Sequence, residues 1–125
     1  MEIEFYDFED ELRSIIFAFE KKTDKGIVMA ICNPRFEFET TFNAMEMMML
    51  QIYFQKLAGL EPKGSVTDLK LDNQGILMRN AHYDGEEVVF ELILQRKEET
   101  GFKKTTSNII FEPDMLATLE NILKA

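Results

Sequence analysis

A chain of 125 residues is the usual length of one domain and too short for two, so we expect residues 1–125 to form a single domain. Its hydrophobic content of 46% supports a buried core and excludes a disordered chain. Fourteen Lys and Arg against 23 Asp and Glu give a net charge of −9, which disfavours nucleic acid and anionic membranes as partners. The same charge favours a basic protein as partner.

The N-terminal region and the single cysteine indicate where the protein works. The first eleven residues carry six acids and no base, unlike the positive start of a signal peptide. No apolar run approaches the roughly 18 residues that span a membrane, so we predict no membrane partner and a cytoplasmic location. Cys32 is the only cysteine, which excludes an internal disulfide, and its place at the end of an apolar run predicts a buried, inert thiol.

The first half of the sequence alternates as strands do and then changes to a helical period. Strands are predicted over residues 2–6, 12–20, 27–32 and 36–42, with a hairpin loop at residues 22–26. Asn43 with Glu46 has the pattern of a capping box, and Gly59 stands where the helix predicted over residues 44–58 would end.

Apolar residues in this helix recur at helical spacing. The methionine-rich stripe is Met45, Met48, Met49 and Ile52, and the residues that widen it are Leu50, Tyr53, Phe54 and Leu57. Methionine-rich helices can form adaptable binding surfaces, but a stripe facing a Phe-rich sheet packs as core. We interpret the methionines of residues 45–49, Met47 and Met48 included, as core.

The second half repeats the order of elements. Strands are predicted over residues 66–71, 76–83, 88–95 and 105–111, with a turn at residues 72–75 and a type I′ turn at Asp84–Gly85. Residues 96–104 form a charged connection with a turn at Gly101. Pro113 opens a last helix, whose buried stripe is Met115, Leu116, Leu119, Ile122 and Leu123. The predicted order of strands, helix, strands and helix indicates an α+β fold, a mainly antiparallel sheet with two helices and a structural pseudo-repeat.

The sequence offers few parts for catalysis. His82 is the only histidine and has no second histidine or cysteine nearby to complete a zinc site. Glu37 and Glu39 point the same way on one strand, which could serve acid–base chemistry or a divalent cation but is typical of a solvated face. No phosphate-binding glycine loop or nucleophile elbow occurs. We therefore predict no enzyme activity, no cofactor and no metal.

Acidic side chains are the candidates for partner binding. Those on predicted outer faces are Glu37, Glu39, Glu86, Glu87 and Glu91. Basic residues gather in predicted turns at Lys21–Lys22, Lys25 and Lys103–Lys104, and no predicted strand face is rich in Lys and Arg. An acidic face speeds association with a basic partner and matches its charge.

Four segments carry a resemblance to a known family: residues 53–59, Leu69–Leu71, Asp84–Gly85 leading into residues 88–94, and residues 110–116. Over residues 42–125 this layout resembles small bacterial immunity proteins of the wall-associated toxin immunity type. The family's Gly–His pair after the Asp–Gly turn is replaced here by Glu86–Glu87, and no functional residue carries over. The resemblance implies an inhibitor that occludes a toxin.

Several functions fit these features. The leading hypothesis is an immunity protein or similar inhibitor that binds a basic toxin domain. The alternatives are a single-strand nucleic-acid-binding module with a whirly-like fold, a small enzyme or ligand-binding α+β domain with a cavity under the methionine-rich helix, and a homodimer paired through strand edges. The net negative charge argues against the nucleic-acid hypothesis.

Overall fold

Eight strands and two helices make up the described part of the chain. The computed structural model describes residues 2–7, 14–22, 26–33 and 36–124. The strands are β1 (Glu2–Asp7), β2 (Ser14–Lys22), β3 (Gly26–Asn33), β4 (Phe36–Phe42), β5 (Leu69–Leu71), β6 (Ile76–Tyr83), β7 (Val88–Glu98) and β8 (Gly101–Phe111). Helix α1 (Ala44–Ala58) follows β4, and helix α2 (Pro113–Lys124) follows β8. The predicted α+β class and the order of strands, helix, strands, helix are confirmed.

The strands lie in one antiparallel sheet. Its order is β4-β3-β2-β1-β8-β7-β6-β5, so each half of the chain forms a four-stranded meander followed by one helix. The meanders join where β1 pairs with β8, at Tyr6 opposite Ile110 and Asp7 opposite Ile109. This arrangement is the predicted pseudo-repeat in structural form.

Acids at positions 9–11, residues 23–25 of the predicted hairpin loop and the side chain of Cys32 lie outside the described residues.

Strand boundaries in the second half differ from the prediction at two places. Residues 66–68 are not part of β5, because pairing with β6 begins at Leu69 opposite Met78 and β6 bulges between Arg79 and His82. Asn80 has a φ of 55° in this bulge, which displaces the backbone beyond Arg79. Residues 96–104 are not a connection, since β7 and β8 stay paired up to Glu98 opposite Gly101.

The β6–β7 turn also differs from the predicted type I′ turn. Tyr83 pairs with Val88, so four residues connect the strands. Asp84 lacks the positive φ that a type I′ turn requires at both central residues, and only Gly85 has it, with a φ of 107°. Asp84 Oδ1 instead accepts hydrogen bonds from the backbone N–H groups of Glu87 (2.8 Å) and Glu86 (3.1 Å), which lower the pKa of the Asp84 carboxyl.

Both helices contribute to a single core against the sheet. Helix α1 contacts β3, β4, β5 and α2, whereas α2 contacts β1 and α1. Helix α2 buries Met115, Leu119 and Ile122, and Leu116 and Leu123 pack against the same core, so its predicted stripe is confirmed. Aromatic rings form the centre of the core in edge-to-face contacts, with ring centroids 4.5 Å apart for Phe5–Phe17, 6.2 Å for Phe5–Phe54 and 5.5 Å for Phe54–Phe111.

The two edges of the sheet approach each other at the start of α1. Thr40 of edge strand β4 donates a hydrogen bond to Gln74, which lies in the 3-10 turn (Asp72–Gln74) directly after edge strand β5. Gln74 Nε2 donates in turn to Glu46 Oε1 at 3.3 Å. Glu46 completes the predicted capping box, because its N–H donates to Asn43 Oδ1 (2.8 Å) and its Oε1 accepts from the Asn43 N–H (3.1 Å). The sheet therefore curves around α1.

Candidate functional site

Helix α1 carries an apolar surface on two opposite faces. The core face is at most 3% exposed, and its members are Met47, Leu50, Tyr53, Phe54 and Leu57. The opposite face is open to solvent, and its members are Met45 (71% exposed), Met48 (58%), Met49 (39%) and Ile52 (43%). We call these four residues the methionine face.

The exposure of the methionine face corrects the prediction that all the methionines of residues 45–49 form core, which is confirmed for Met47 only. Steps of three and four residues place Met45, Met48, Met49 and Ile52 along one side of a helix. A helix packed on a sheet buries one stripe, and the larger rings of Tyr53 and Phe54 occupy that side of α1. The second apolar stripe consequently has no described element of the fold to pack against.

The methionine face has the composition of an interface. Only Glu46 and Lys56 are charged among the 15 residues of α1, in a chain of which 30% of the residues are charged. The cores of protein–protein interfaces are depleted of charged side chains and enriched in methionine. The flexible, polarizable thioether also adapts to the shape of a partner. These properties make the methionine face the strongest candidate for a binding surface among the described residues.

A groove borders the methionine face on the side of β5. Its volume is about 180 Å³, and the residues that line it include Met49, Ile52, Tyr53, Lys56, Asp68 and Leu69. Its second wall exists because residues 66–68 run beside α1 instead of extending β5. Pockets for whole small molecules usually measure about 300–1,000 Å³, so this groove is suited to a single side chain.

Tyr53 lies between the core and the groove. Its ring is 3% exposed and packs edge-to-face on Phe90, with centroids 6.1 Å apart. The Tyr53 hydroxyl is buried and forms no hydrogen bond with any described residue. Burial raises the pKa of Tyr53, and the carboxylate of Asp68 raises it further, so the hydroxyl stays protonated. Buried hydroxyl groups almost always have a partner, which makes this one exceptional.

The five predicted partner-binding glutamates lie on three parts of the fold, strands β4 and β7 and the β6–β7 turn. Glu37 and Glu39 lie on edge strand β4, with their side chains outside the described part, whereas Glu91 lies on β7, the sixth strand in the order. Glu86 and Glu87 are exposed in the β6–β7 turn.

Glu91 is partly used within the fold. Its Oε2 is 3.1 Å from Arg79 Nε and also accepts a hydrogen bond from Asn80, and its side chain is 22% exposed. This internal pairing reduces the charge that Glu91 offers to a partner.

A basic hairpin, formed by residues 96–104 at the ends of β7 and β8, lies on the other half of the sheet, where the sequence pattern predicts a connection. The β7–β8 register places Arg96 opposite Lys103 and Lys97 opposite Phe102, and Lys104 follows on the same strand. Phe102 is 68% exposed. A cleft of about 430 Å³ lies between this hairpin and residues 72–75.

The remaining candidates carry no assembled chemistry in the described part of the chain. His82 is exposed, and its Nδ1 lies 2.8 Å from the Asn80 carbonyl oxygen, as expected for a surface histidine. No group of three His, Cys, Asp or Glu side chains among the described residues is placed to hold a metal ion. Neither described helix has the length and apolar character needed to cross a membrane.

Comparison of the chain with protein-family models, with curated proteins and with solved structures returns no match.

Proposed function

We propose that this chain is an acidic protein-binding domain, an immunity protein or inhibitor that neutralises a basic toxin by covering it. The observation that carries the proposal is the methionine face of α1, an apolar stripe that no described residue of the chain covers. The net charge of −9 and the resemblance over residues 42–125 support the same function.

Binding would proceed by attraction and then by burial of the methionine face. The excess of acids over bases draws a cationic protein toward the chain and raises the rate of association. Because the methionine face itself is nearly uncharged, its burial removes apolar area from water without desolvating carboxylates. Exposed Glu2, Glu4 and Glu20 on the first half of the sheet contribute to the attraction rather than to the buried centre.

Affinity capture with matched variants tests the proposal. The tagged chain, the triple variant Met45→Ser, Met48→Ser, Met49→Ser and the control Asn121→Ser on the outer side of α2 would be incubated with cell lysates at low and high salt. We expect the parent chain and the control to retain the same basic protein at low salt, and the triple variant to lose it. The captured protein would then be purified, and its inhibition by the chain measured directly.

Two results would contradict the proposal. Equal retention of the basic protein by the triple variant would exclude the methionine face as its binding site. A purified complex in which the partner keeps its full activity would exclude inhibition by occlusion.

The basic hairpin supports a second candidate function, binding of single-stranded nucleic acid. Lys97, Lys103 and Lys104 on one hairpin with the exposed ring of Phe102 provide phosphate contacts and a stacking surface. A labelled oligonucleotide that binds at physiological salt, and loses affinity in Phe102→Ala, would favour this function over inhibition. Absence of binding below millimolar concentration would exclude it.

A further inference from the structure

We propose that the groove between α1 and the segment leading into β5 receives an arginine side chain of the partner, anchored by Asp68 and Tyr53. This inference rests on the proposed function, since it names the residue type by which a basic partner is recognised. It is carried by the shape of the groove, by its single carboxylate and by the buried hydroxyl without a partner.

The groove matches the two parts of an arginine side chain. Met49, Ile52 and Leu69 provide apolar walls for the three methylene groups of the stem. Asp68 is exposed and forms no salt bridge with any described residue, so its carboxylate is available to the guanidinium group. A guanidinium group presents five N–H donors in a planar fork, which allows it to bond a carboxylate and a second acceptor at once.

Tyr53 supplies the second acceptor. Tyr53 lines the same groove as Asp68, and its hydroxyl oxygen forms no hydrogen bond with any described residue. A buried hydroxyl without a partner is unfavourable in the free chain, and a donor from a ligand would remove that penalty on binding. The penalty in the free state and its removal in the bound state favour a ligand that carries a donor over a purely apolar one.

Lys56 lies in the same groove and provides an internal test of the charge of the occupant. It forms no salt bridge with Asp68 or with any other described residue. A cationic occupant is repelled by the Lys56 ammonium group, whereas an anionic occupant would be attracted to it. Removal of the Lys56 charge should therefore strengthen the binding of arginine.

The experiment is an NMR titration of the full chain with Nα-acetyl-arginine amide, which requires no identified partner. Signals of Ile52, Asp68 and Leu69 report on the groove. Matched probes are Nα-acetyl-lysine amide, with a compact charge, and Nα-acetyl-norleucine amide, with the apolar stem alone. We expect saturable shifts with the arginine probe at millimolar concentration, weaker binding of the lysine probe and the weakest binding of the norleucine probe.

Variants of residues that line the groove test each proposed contact separately. Asp68→Asn and Tyr53→Phe should each lower the affinity for the arginine probe about tenfold, the effect expected from loss of one hydrogen bond to a charged group. Lys56→Gln should raise this affinity severalfold. Asn121→Ser on the outer side of α2 lies outside both the groove and the methionine face and should leave the titration unchanged.

The proposal would be overturned by groove signals that do not move, by equal affinity for the norleucine or lysine probe, or by a Lys56→Gln variant that binds the arginine probe more weakly. Met49 and Ile52 belong to both surfaces, whereas Asp68 belongs to the groove alone and Met48 to the methionine face alone. Groove signals that do not move therefore leave the proposed function intact as long as Met48→Ser still weakens partner capture. Failed capture with a positive titration would contradict the protein-binding function while the arginine site remains.

Discussion

Helices α1 and α2 pack on the same sheet but differ on the side that faces solvent. Helix α2 buries Met115, Leu119 and Ile122 and exposes Asp114, Asn121 and Lys124, the ordinary pattern of an amphipathic helix. Helix α1 buries a similar stripe and exposes a second apolar one. Since one stripe is enough to hold a helix on a sheet, the fold does not require the second stripe of α1. Helix α2 therefore only supports the core, whereas α1 is also available for binding.

Substitutions in the core should cause the largest losses of stability, and they test whether the buried faces of the two helices are equivalent. Phe54→Ala in α1 and Leu119→Ala in α2 each remove a fully buried side chain, and we expect each to lower the free energy of unfolding by about 3–5 kcal/mol. Urea denaturation followed by circular dichroism measures the loss. If only one of the two variants lost stability, the helices would not share a single core.

The existence and limits of these helices could be predicted from local signals. Asn43 and Glu46 fixed the start of α1 because a capping box is formed by residues three apart, and the predicted and observed bounds of α1 agree. The choice between its two apolar faces could not be predicted in the same way, because both obey helical spacing. The scarcity of charge on α1 is a signal in the sequence that both of its sides are apolar, but it does not distinguish a buried side from an exposed one.

Other differences arose from contacts distant in sequence. The bulge at Asn80 determines where β5 begins and therefore where Asp68 lies, although neither residue has a local pattern that predicts it. Likewise, the basic hairpin follows from the β7–β8 register, which places Arg96 opposite Lys103, whereas the sequence pattern predicts a connection over residues 96–104. Pairing across a sheet depends on register, which a single strand does not specify when its residues are all polar.

Tyr53 is a core residue of α1 whose buried hydroxyl group contributes no hydrogen bond to the described core. Tyr53→Phe keeps the ring on Phe90 and removes the unpartnered hydroxyl, so we expect the free energy of unfolding to rise by about 1–2 kcal/mol. The control is Tyr83→Phe, at a half-buried position whose hydroxyl is not among the buried atoms without a partner. A loss of stability in Tyr53→Phe would show that the hydroxyl has a partner in the free protein.

Loss of the N-terminal cap of α1 should lower the free energy of unfolding by a smaller amount. Asn43→Ala removes the acceptor for the Glu46 N–H, and we expect a loss of about 1 kcal/mol in the free energy of unfolding. Glu46→Gln keeps an oxygen acceptor for the Asn43 N–H and should lose less. Thermal denaturation of both variants beside the parent chain measures the difference. An unchanged midpoint for Asn43→Ala would show that packing alone positions the start of α1.

The smallest effect on stability is expected on the methionine face, where adjacent residues provide a matched pair. Met48→Ser should change the free energy of unfolding by less than about 0.5 kcal/mol, because the side chain is 58% exposed. Met47→Ser makes the same chemical change at a position that is 1% exposed and should destabilise by about 2–5 kcal/mol. Helix propensity changes equally in both variants, so their difference reports burial alone. A large loss at Met48 that grows with protein concentration would mean that a second copy of the chain covers the methionine face, since stability gained by association depends on concentration.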